Sequence, residues 1–221
     1  MKSGPFAIPF DGGDLPAVGY VAKRARATYL FAHGAGAPQK HPYIVGVAKR
    51  LVDRGVSVIT FDFPYTARGK KVPDPSDVLE RAARAAIEAA KGRADGALFA
   101  GGKSMGGRIA SQVVAKDASG VAGLVFLGYP LHPPGKPEQE RSKHLPNVAV
   151  PMLFVQGTRD VFGTPAELAP IVPKLAKGSR VFVVEGGDHS HAVLKRGGVD
   201  QSAVEAAIAD AVVGFVREAA G

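Results

Sequence analysis

The stretch ALFAGGKSMGGRIA at residues 97–110 decides the fold of this 221-residue chain. It opens with a short apolar run typical of a buried strand, and a helical pattern begins at Arg108 and continues to Lys116. Between them lies GKSMG at residues 102–106. In such a G-x-S-x-G string a sharp strand-to-helix turn projects the serine hydroxyl, and the glycines leave room for the strained backbone. The new helix directs N–H groups and its positive dipole toward developing negative charge, so the stretch predicts Ser104 as a nucleophile.

The same letters allow two other interpretations. One is a glycine-rich turn with an incidental serine, and the other is the phosphate-binding loop of nucleotide hydrolases, G-x-x-x-x-G-K-[ST]. That loop would need a glycine at position 97, where the sequence has Ala97, and Gly96 is one residue early. Residues 98–100, which would have to form the loop, match a strand instead. The spacing therefore disfavours a nucleotide-binding site.

Short apolar runs alternate with longer segments of helical period along the whole chain. This alternation is typical of a mostly parallel sheet with helices on both faces. Strands are expected at residues 27–31, 56–61, 97–100, 121–127, 151–155 and 180–184, with a weaker antiparallel edge at 6–10 and 17–22. Helices are expected at residues 43–54, 74–91, 108–116 and 200–218. We predict an α/β fold with seven or eight strands in a single domain, residues 1–221.

Two local features refine this prediction. Asp74 is expected to cap the second helix, with Pro75 at its first helical position. The longest irregular stretch, residues 128–147, is expected to overhang the site, because long loops in compact domains usually serve function. It is too short to form a cap domain, so we expect no large cap and an open, shallow cleft.

The composition is that of an ordinary globular protein, with 46% hydrophobic and 22% charged residues. The chain has no cysteine, which excludes disulfides and thiolate chemistry. Its net charge of +8 comes from dispersed lysines and arginines without a recognisable binding motif, so we expect no nucleic-acid partner. We find neither a secretory signal nor an apolar stretch long enough to span a membrane, and expect a cytoplasmic protein.

A serine becomes a good nucleophile only when a base removes its proton and a third group orients that base. Asp160 follows the strand expected at residues 151–155, and His189 follows the strand expected at residues 180–184. Both therefore lie at equivalent strand ends. We predict His189 as the general base and Asp160 as the carboxylate that orients it.

Neighbouring residues compete for both roles. His191 lies two positions from His189 and is an alternative base. Asp188 and Glu185 are alternative carboxylates, although close sequence neighbours of a histidine rarely reach it side-on. The sequence favours His189 with Asp160 and leaves these alternatives open.

These residues carry a family resemblance. The chain resembles the α/β-hydrolase superfamily, in particular small dienelactone-hydrolase-like members and hydrolase-like domains that share GKSMGGR and GTRD signatures. The resemblance runs from HGAG at residues 33–36 to DHS at residues 188–190 and includes the chain order Ser, Asp, His. It implies an oxyanion hole formed by the N–H groups of Ala35 and Met105. It also implies hydrolysis of an ester, amide or thioester, without naming the substrate.

The function that follows is a serine hydrolase that cleaves a small acyl substrate through an acyl-enzyme on Ser104. A catalytically silent hydrolase-like scaffold or binding subunit is the alternative. We expect no cofactor, and no metal site either, because the six histidines do not pair with carboxylates at ligand spacing. His33 is expected to brace the oxyanion loop, and Asp62 to anchor a loop as a hydrogen-bond acceptor.

Several cationic residues lie in or near the loops expected to form the site. They suggest either an anionic acyl substrate or simply a basic surface, and the sequence favours the basic surface. These residues are Lys40, Arg68, Lys103, Arg108 and Arg159. The oligomeric state has no signature in the sequence.

Overall fold

The protein is described by a computed structural model that covers residues 2–117, 120–194, 198 and 200–221. Its strands are β1 Gly4–Phe10, β2 Gly13–Tyr20, β3 Ala27–Ala32, β4 Val56–Phe61, β5 Ala97–Lys103, β6 Gly123–Leu127, β7 Met152–Gly157 and β8 Arg180–Val184. Its helices are α1 Pro42–Val52, α2 Pro64–Ala67, α3 Ser76–Lys91, α4 Met105–Lys116, α5 Pro165–Leu168 and α6 Gln201–Ala220. Short 3-10 turns lie at Leu145–Asn147 and Val172–Lys174.

The strands of the described residues form one sheet in the order β1-β2-β4-β3-β5-β6-β7-β8. The pairs from β4 to β8 are parallel, whereas β1 and β2 are an antiparallel edge. The β1–β2 hairpin turns on Asp11 and Gly12, which both have positive φ and match the twist that a two-residue hairpin loop requires. The predicted sheet, including its antiparallel edge, is confirmed.

Both faces of the sheet are covered, as its strands require. Every residue of β3 and β4 is buried, which is expected of central parallel strands packed on both sides. Successive residues of β3 point to opposite faces, so Leu30 packs in a cluster with α3 and α4, whereas Tyr29 packs with α1 and α6. The predicted arrangement of helices on both faces is confirmed.

The structure corrects several local expectations, including the start of α4, which begins at Met105 and not at Arg108. Asp74 does not cap α3, because its Oδ1 accepts a hydrogen bond from Arg68 Nη2 at 2.6 Å, and Pro75 is the N-cap residue instead. Strand β6 begins at Gly123, two residues later than expected. The four-residue helices α2 and α5 were not expected, since so short a segment cannot display helical periodicity.

The topology brings the candidate site residues to one edge of the sheet. In parallel strands the carboxyl ends lie on the same side, and open α/β sheets bind ligands in the crevice outside those ends. The segments that follow β3, β5, β7 and β8 carry residues 33–36, Ser104, Asp160 and His189, respectively. Four segments that are distant in sequence therefore meet at one place.

Candidate active site

Ser104 lies at the turn between β5 and α4 in a strained backbone conformation. Its φ of 50° and ψ of −118° are uncommon for a residue with a side chain, and they project the side chain out of the strand-to-helix turn. The first intrahelical hydrogen bond runs from Arg108 N to Ser104 O, at 3.1 Å. Consequently the N–H groups of the first helical turn, beginning with Met105, have no partner within the helix.

The glycines around Ser104 allow the turn to press against the end of β3. A Cβ atom on Gly102 would lie 2.3 Å from the carbonyl oxygen of Ala32, and one on Gly106 would lie 2.5 Å from that of His33. Both contacts are with backbone atoms, which cannot move away without disturbing the sheet. Close backbone approach is thus the physical reason for glycine at both positions.

The structure brings Ser104, His189 and Asp160 into one hydrogen-bonded line. His189 Nε2 lies 2.9 Å from Ser104 Oγ, and His189 Nδ1 lies 2.8 and 2.9 Å from the two carboxylate oxygens of Asp160. A carboxylate only accepts hydrogen bonds, so Nδ1 carries the proton that it donates to Asp160. The lone pair of Nε2 consequently faces the serine hydroxyl, which is the arrangement that proton abstraction needs.

Asp160 is also held in place by contacts other than its hydrogen bond with His189. It is 2% exposed, and its oxygens also accept hydrogen bonds from Gln156 Nε2 at 2.8 Å and from the Phe162 N–H at 2.9 Å. The Phe162 ring lies against the His189 ring with the centroids 4.3 Å apart. These donors stabilise a buried carboxylate, and the aromatic contact holds the imidazole in the same orientation.

Gln156 is a residue of this site that the sequence analysis missed. Besides its bond to Asp160, its Oε1 accepts the Tyr129 N–H at 2.9 Å, so it ties the loop after β6 to the loop after β7. The available signal was a polar residue near the end of an otherwise apolar strand, MLFVQG at residues 152–157. A buried amide there needs polar partners, and the strand-end loops supply them.

His191, the alternative base, does not contact Ser104. Its Nε2 lies 3.1 Å from the Val155 carbonyl oxygen and must donate to it, so its Nδ1 accepts a hydrogen bond from the Tyr43 hydroxyl at 2.9 Å. Burial, followed by the nearby Lys103 ammonium, lowers the pKa of His191 to about 4. It is therefore a neutral, buried histidine that joins the loop after β8, here called the histidine loop (residues 185–194), to α1.

The alternative carboxylates are engaged in loop contacts. Asp188 Oδ1 accepts the N–H groups of Ser190 and Ala192 at 2.8 and 3.0 Å. Glu185 accepts a hydrogen bond from the Thr158 hydroxyl at 3.3 Å. The geometry thus favours Asp160 over both as the partner of the imidazole.

The buried His191 predicts an acid-sensitive fold. Its folded pKa of about 4 lies below the value of about 6.5 in an unfolded chain, so the unfolded state binds the proton first. The contribution of neutral His191 to the free energy of unfolding is complete above about pH 6.5. It falls as the pH drops toward 4 and is constant at lower pH. The full loss is at most about 3 kcal/mol. Urea unfolding of the wild type between pH 7 and pH 4 measures it.

The matched variant for this measurement is His191→Gln, whose amide can still donate to Val155 and accept from Tyr43. We expect its unfolding free energy to depend less on pH than that of the wild type. Half-buried His144, whose pKa burial also lowers to about 4, and buried His33, whose pKa burial lowers as well, contribute to the remaining slope. His41→Asn, which removes an exposed histidine, is the control. An unchanged slope in His191→Gln would contradict the assignment.

Ala35 and Met105, the residues expected to supply oxyanion donors, both line the cavity beside Ser104. The Ala35 carbonyl accepts a hydrogen bond from the Tyr65 hydroxyl at 3.0 Å, which anchors the loop that follows β3. Met105 stands at the first position of α4, where N–H groups lack helical partners. Both backbones therefore lie at the cavity beside Ser104, and their role as oxyanion donors stays a prediction.

His33 and Asp62 make hydrogen bonds that hold the loop after β3 in place. His33 is fully buried, its Nδ1 donates to the Gly34 carbonyl at 2.7 Å, and its Nε2 accepts the Phe63 N–H at 3.0 Å. Asp62 Oδ1 accepts the Gln39 N–H at 2.8 Å. Burial lowers the pKa of His33, which favours the neutral form that these contacts require. Both residues make the bracing contacts that were expected of them.

Lys103 links the end of β5 to the histidine loop. Its ammonium donates to the His189 carbonyl at 2.6 Å, and burial lowers its pKa to about 8. The contact has room because Gly128, with a φ of 70°, carries no side chain; a Cβ there would lie 2.9 Å from Lys103 Nζ. The main chain of the candidate base is thereby tied to the residue that precedes Ser104.

A cavity of about 790 Å³ opens over Ser104, within the range of about 300–1,000 Å³ that small-molecule sites occupy. The 128–147 loop contributes Pro130 and Arg141 to its lining, and the segment between α2 and α3 contributes Pro73 and Asp74. The expected open, shallow cleft stays a prediction.

The predicted cationic residues are only partly at this cavity. Lys103 and Arg108 line it, as does Arg141, which the sequence analysis missed because it lies in an irregular loop. Lys40 and Arg159 are not among its lining residues, and Arg68 is paired with Asp74.

No three histidine, aspartate or glutamate side chains of the described residues are arranged to hold a metal ion. Within the described part of the chain, none of the helices has the length and apolar character needed to cross a membrane.

Residues 25–217 match a family model described as an alpha/beta hydrolase domain. Among solved structures, the chain is similar to Est1E from Butyrivibrio proteoclasticus, with 16% identity and a TM-score of 0.75 over 98% of this chain and 99% of that one. It is similar to a dienelactone hydrolase from Anabaena variabilis, with 17% identity and a TM-score of 0.77 over 98% and 97%. It is also similar to a serine hydrolase without a lid from Xanthomonas campestris, with 17% identity and a TM-score of 0.76 over 99% of this chain and 95% of that one. At these identities the similarities establish the fold.

Proposed function

The chain belongs to the alpha/beta hydrolase domain family, and on that premise we propose that it is a single-domain serine hydrolase that cleaves small carboxylic esters. The observation that carries the proposal is the 2.9 Å contact between Ser104 Oγ and the unprotonated Nε2 of His189. A serine hydroxyl at such a distance from a basic nitrogen can lose its proton as it attacks a carbonyl carbon.

The proposed reaction proceeds in two acyl-transfer steps. Ser104 Oγ bonds to the ester carbonyl carbon while His189 Nε2 takes its proton, and the carbonyl oxygen becomes an oxyanion. The proton then passes from His189 to the leaving alcohol as the ester C–O bond breaks. In the second step water gives its proton to His189 and attacks the acyl-enzyme. The bond to Ser104 Oγ then breaks, the proton returns to the serine, and the acid is released.

Two charges develop during each step, and the site has a group for each. The oxyanion would be stabilised by the Ala35 and Met105 N–H groups, and the loss of one such donor typically costs about 10²- to 10³-fold in kcat. The imidazolium formed on His189 would be stabilised by the buried Asp160 carboxylate. Lys103, through its bond to the His189 carbonyl, would keep the imidazole over Ser104 during both transfers.

Turnover of a panel of p-nitrophenyl esters by the wild-type protein tests the proposal. We expect kcat/KM values of about 10⁴ M⁻¹s⁻¹ or more for the best acyl chain, as is typical of enzymes. Thioesters and peptides, tested beside the esters, define the bond that is preferred. Silence across the panel would favour the hydrolase-like scaffold instead and would contradict the proposed function.

A further inference from the structure

The wall of the cavity carries two guanidinium groups near the nucleophile. Arg108 lies one helical turn after Ser104 on α4, and Arg141 reaches the same cavity from the loop after β6. Arg108 Nη1 donates to Gln112 at 3.2 Å, and its buried Nε has no partner among the described residues. Within the same residues, neither guanidinium forms an ion pair with a carboxylate.

The nearby carboxylates are committed elsewhere. Asp74, on the same cavity, pairs with Arg68, and Glu80, at the start of α3, pairs with Lys116. Glu140, beside Arg141 in sequence, accepts the Ser142 hydroxyl and forms no ion pair with Arg141 within the described residues. The second oxygen of Asp74 is buried without a partner in the described part of the chain, but Arg68 already balances that charge.

Two like charges in a partly desolvated wall oppose each other. Burial, followed by the positive charge of Arg141, lowers the pKa of Arg108. Arginine remains protonated in proteins even so, and a buried or half-buried charge without a counter-ion is costly. A bound anion would offset this repulsion and would accept hydrogen bonds from the guanidinium N–H groups.

We propose that Arg108 and Arg141 bind a carboxylate carried by the ester substrate, so that the protein prefers anionic esters. The inference rests on the proposed function and adds the substrate class to it. A carboxylate suits this position because its planar oxygens accept paired hydrogen bonds from guanidinium groups. The proposed site uses only part of the cationic set that the sequence suggested, since Lys40 and Arg159 lie outside the cavity.

The test compares matched esters that differ by one carboxylate. On the acyl side, mono-p-nitrophenyl glutarate is compared with p-nitrophenyl valerate; on the alcohol side, 4-carboxyphenyl valerate is compared with phenyl valerate. Rates with Ser104→Ala are subtracted, because a glutarate carboxylate can attack its own ester. We expect the wild type to prefer the charged member of at least one pair by about 10-fold or more in kcat/KM.

Variants assign that preference to the two arginines. Arg108→Gln and Arg141→Gln should each lower the ratio of charged to neutral kcat/KM by about 10-fold, mainly through KM. Lys40→Gln removes an exposed charge outside the cavity and should keep the wild-type ratio. A further measurement needs no variant. Free glutarate should competitively inhibit the hydrolysis of p-nitrophenyl valerate, whereas uncharged glutaramide should not.

The outcomes separate this inference from the function on which it rests. Equal kcat/KM for charged and neutral esters, or a preference that survives in both arginine variants, would overturn the carboxylate site and leave the esterase proposal standing. Failure of wild-type protein to turn over any of the four esters would overturn both.

Discussion

Replacement of Ser104 by alanine is expected to lower kcat for p-nitrophenyl esters by about 10⁴- to 10⁶-fold. The hydroxyl is the only group of the proposed site that forms a covalent bond to the acyl carbon, so its loss leaves only binding and the oxyanion donors. The hydrogen bond to His189 is lost with it, but the strained backbone that carries Ser104 remains. The folded state should therefore form, as circular dichroism and thermal unfolding would verify.

A fluorophosphonate probe followed by peptide mass spectrometry locates the nucleophile independently of turnover. Label is expected on Ser104 of the wild type and is expected to be absent from Ser104→Ala. Ser190→Ala is the matched control, because that serine lines the same cavity but its hydroxyl is not part of the hydrogen-bonded line. Label on another residue, or undiminished label in Ser104→Ala, would contradict the assignment.

The sheet and the Ser104 turn were predictable because each has a local signature. Apolar runs bounded by turn residues mark buried strands, and β4 and β8 lie within the predicted bounds of residues 56–61 and 180–184. Glycine at 102 and 106 marks the close approach to β3, which the Cβ distances explain. Both signatures lie in residues that are near one another in sequence, although the close approach itself joins Gly102 and Gly106 to the distant end of β3.

Contacts between distant loops were less predictable. The sequence suggested Lys103 only as part of a positive surface, whereas the fold turns its ammonium toward the His189 carbonyl. Asp74 looked like a helix cap because it precedes a proline and a serine, but an ion pair with Arg68 takes its carboxylate. In both cases a long-range or competing charged partner decides the role, and no spacing rule encodes it.

The choice between two histidines illustrates the same limit. His189 and His191 lie in one loop, and the sequence alone cannot state which ring faces Ser104. The fold decides through the partners of the other ring atoms: Asp160 orients one imidazole, while Tyr43 and Val155 occupy both nitrogens of the other. His191 also adopts a positive φ of 60°, which is uncommon for a residue with a side chain.

Asp160→Asn is expected to lower kcat by about 10³- to 10⁴-fold while the variant remains folded. The asparagine amide would donate to His189 Nδ1 and so move the ring proton to Nε2, where no lone pair is left to accept the proton of Ser104. An amide oxygen can retain a bond from Gln156 or from the Phe162 N–H, so part of the buried network survives. Steady-state kinetics on p-nitrophenyl butyrate measure the loss.

The control for this substitution is Asp188→Asn, which makes the same chemical change next to the histidine. Asp188 accepts two backbone N–H groups through Oδ1, and the asparagine oxygen can keep both bonds, so we expect less than about a 10-fold loss in kcat. The fluorophosphonate labelling rate should fall in parallel with kcat in Asp160→Asn, because both depend on proton transfer from Ser104. A larger loss in Asp188→Asn than in Asp160→Asn would assign the orienting carboxylate to the histidine loop itself.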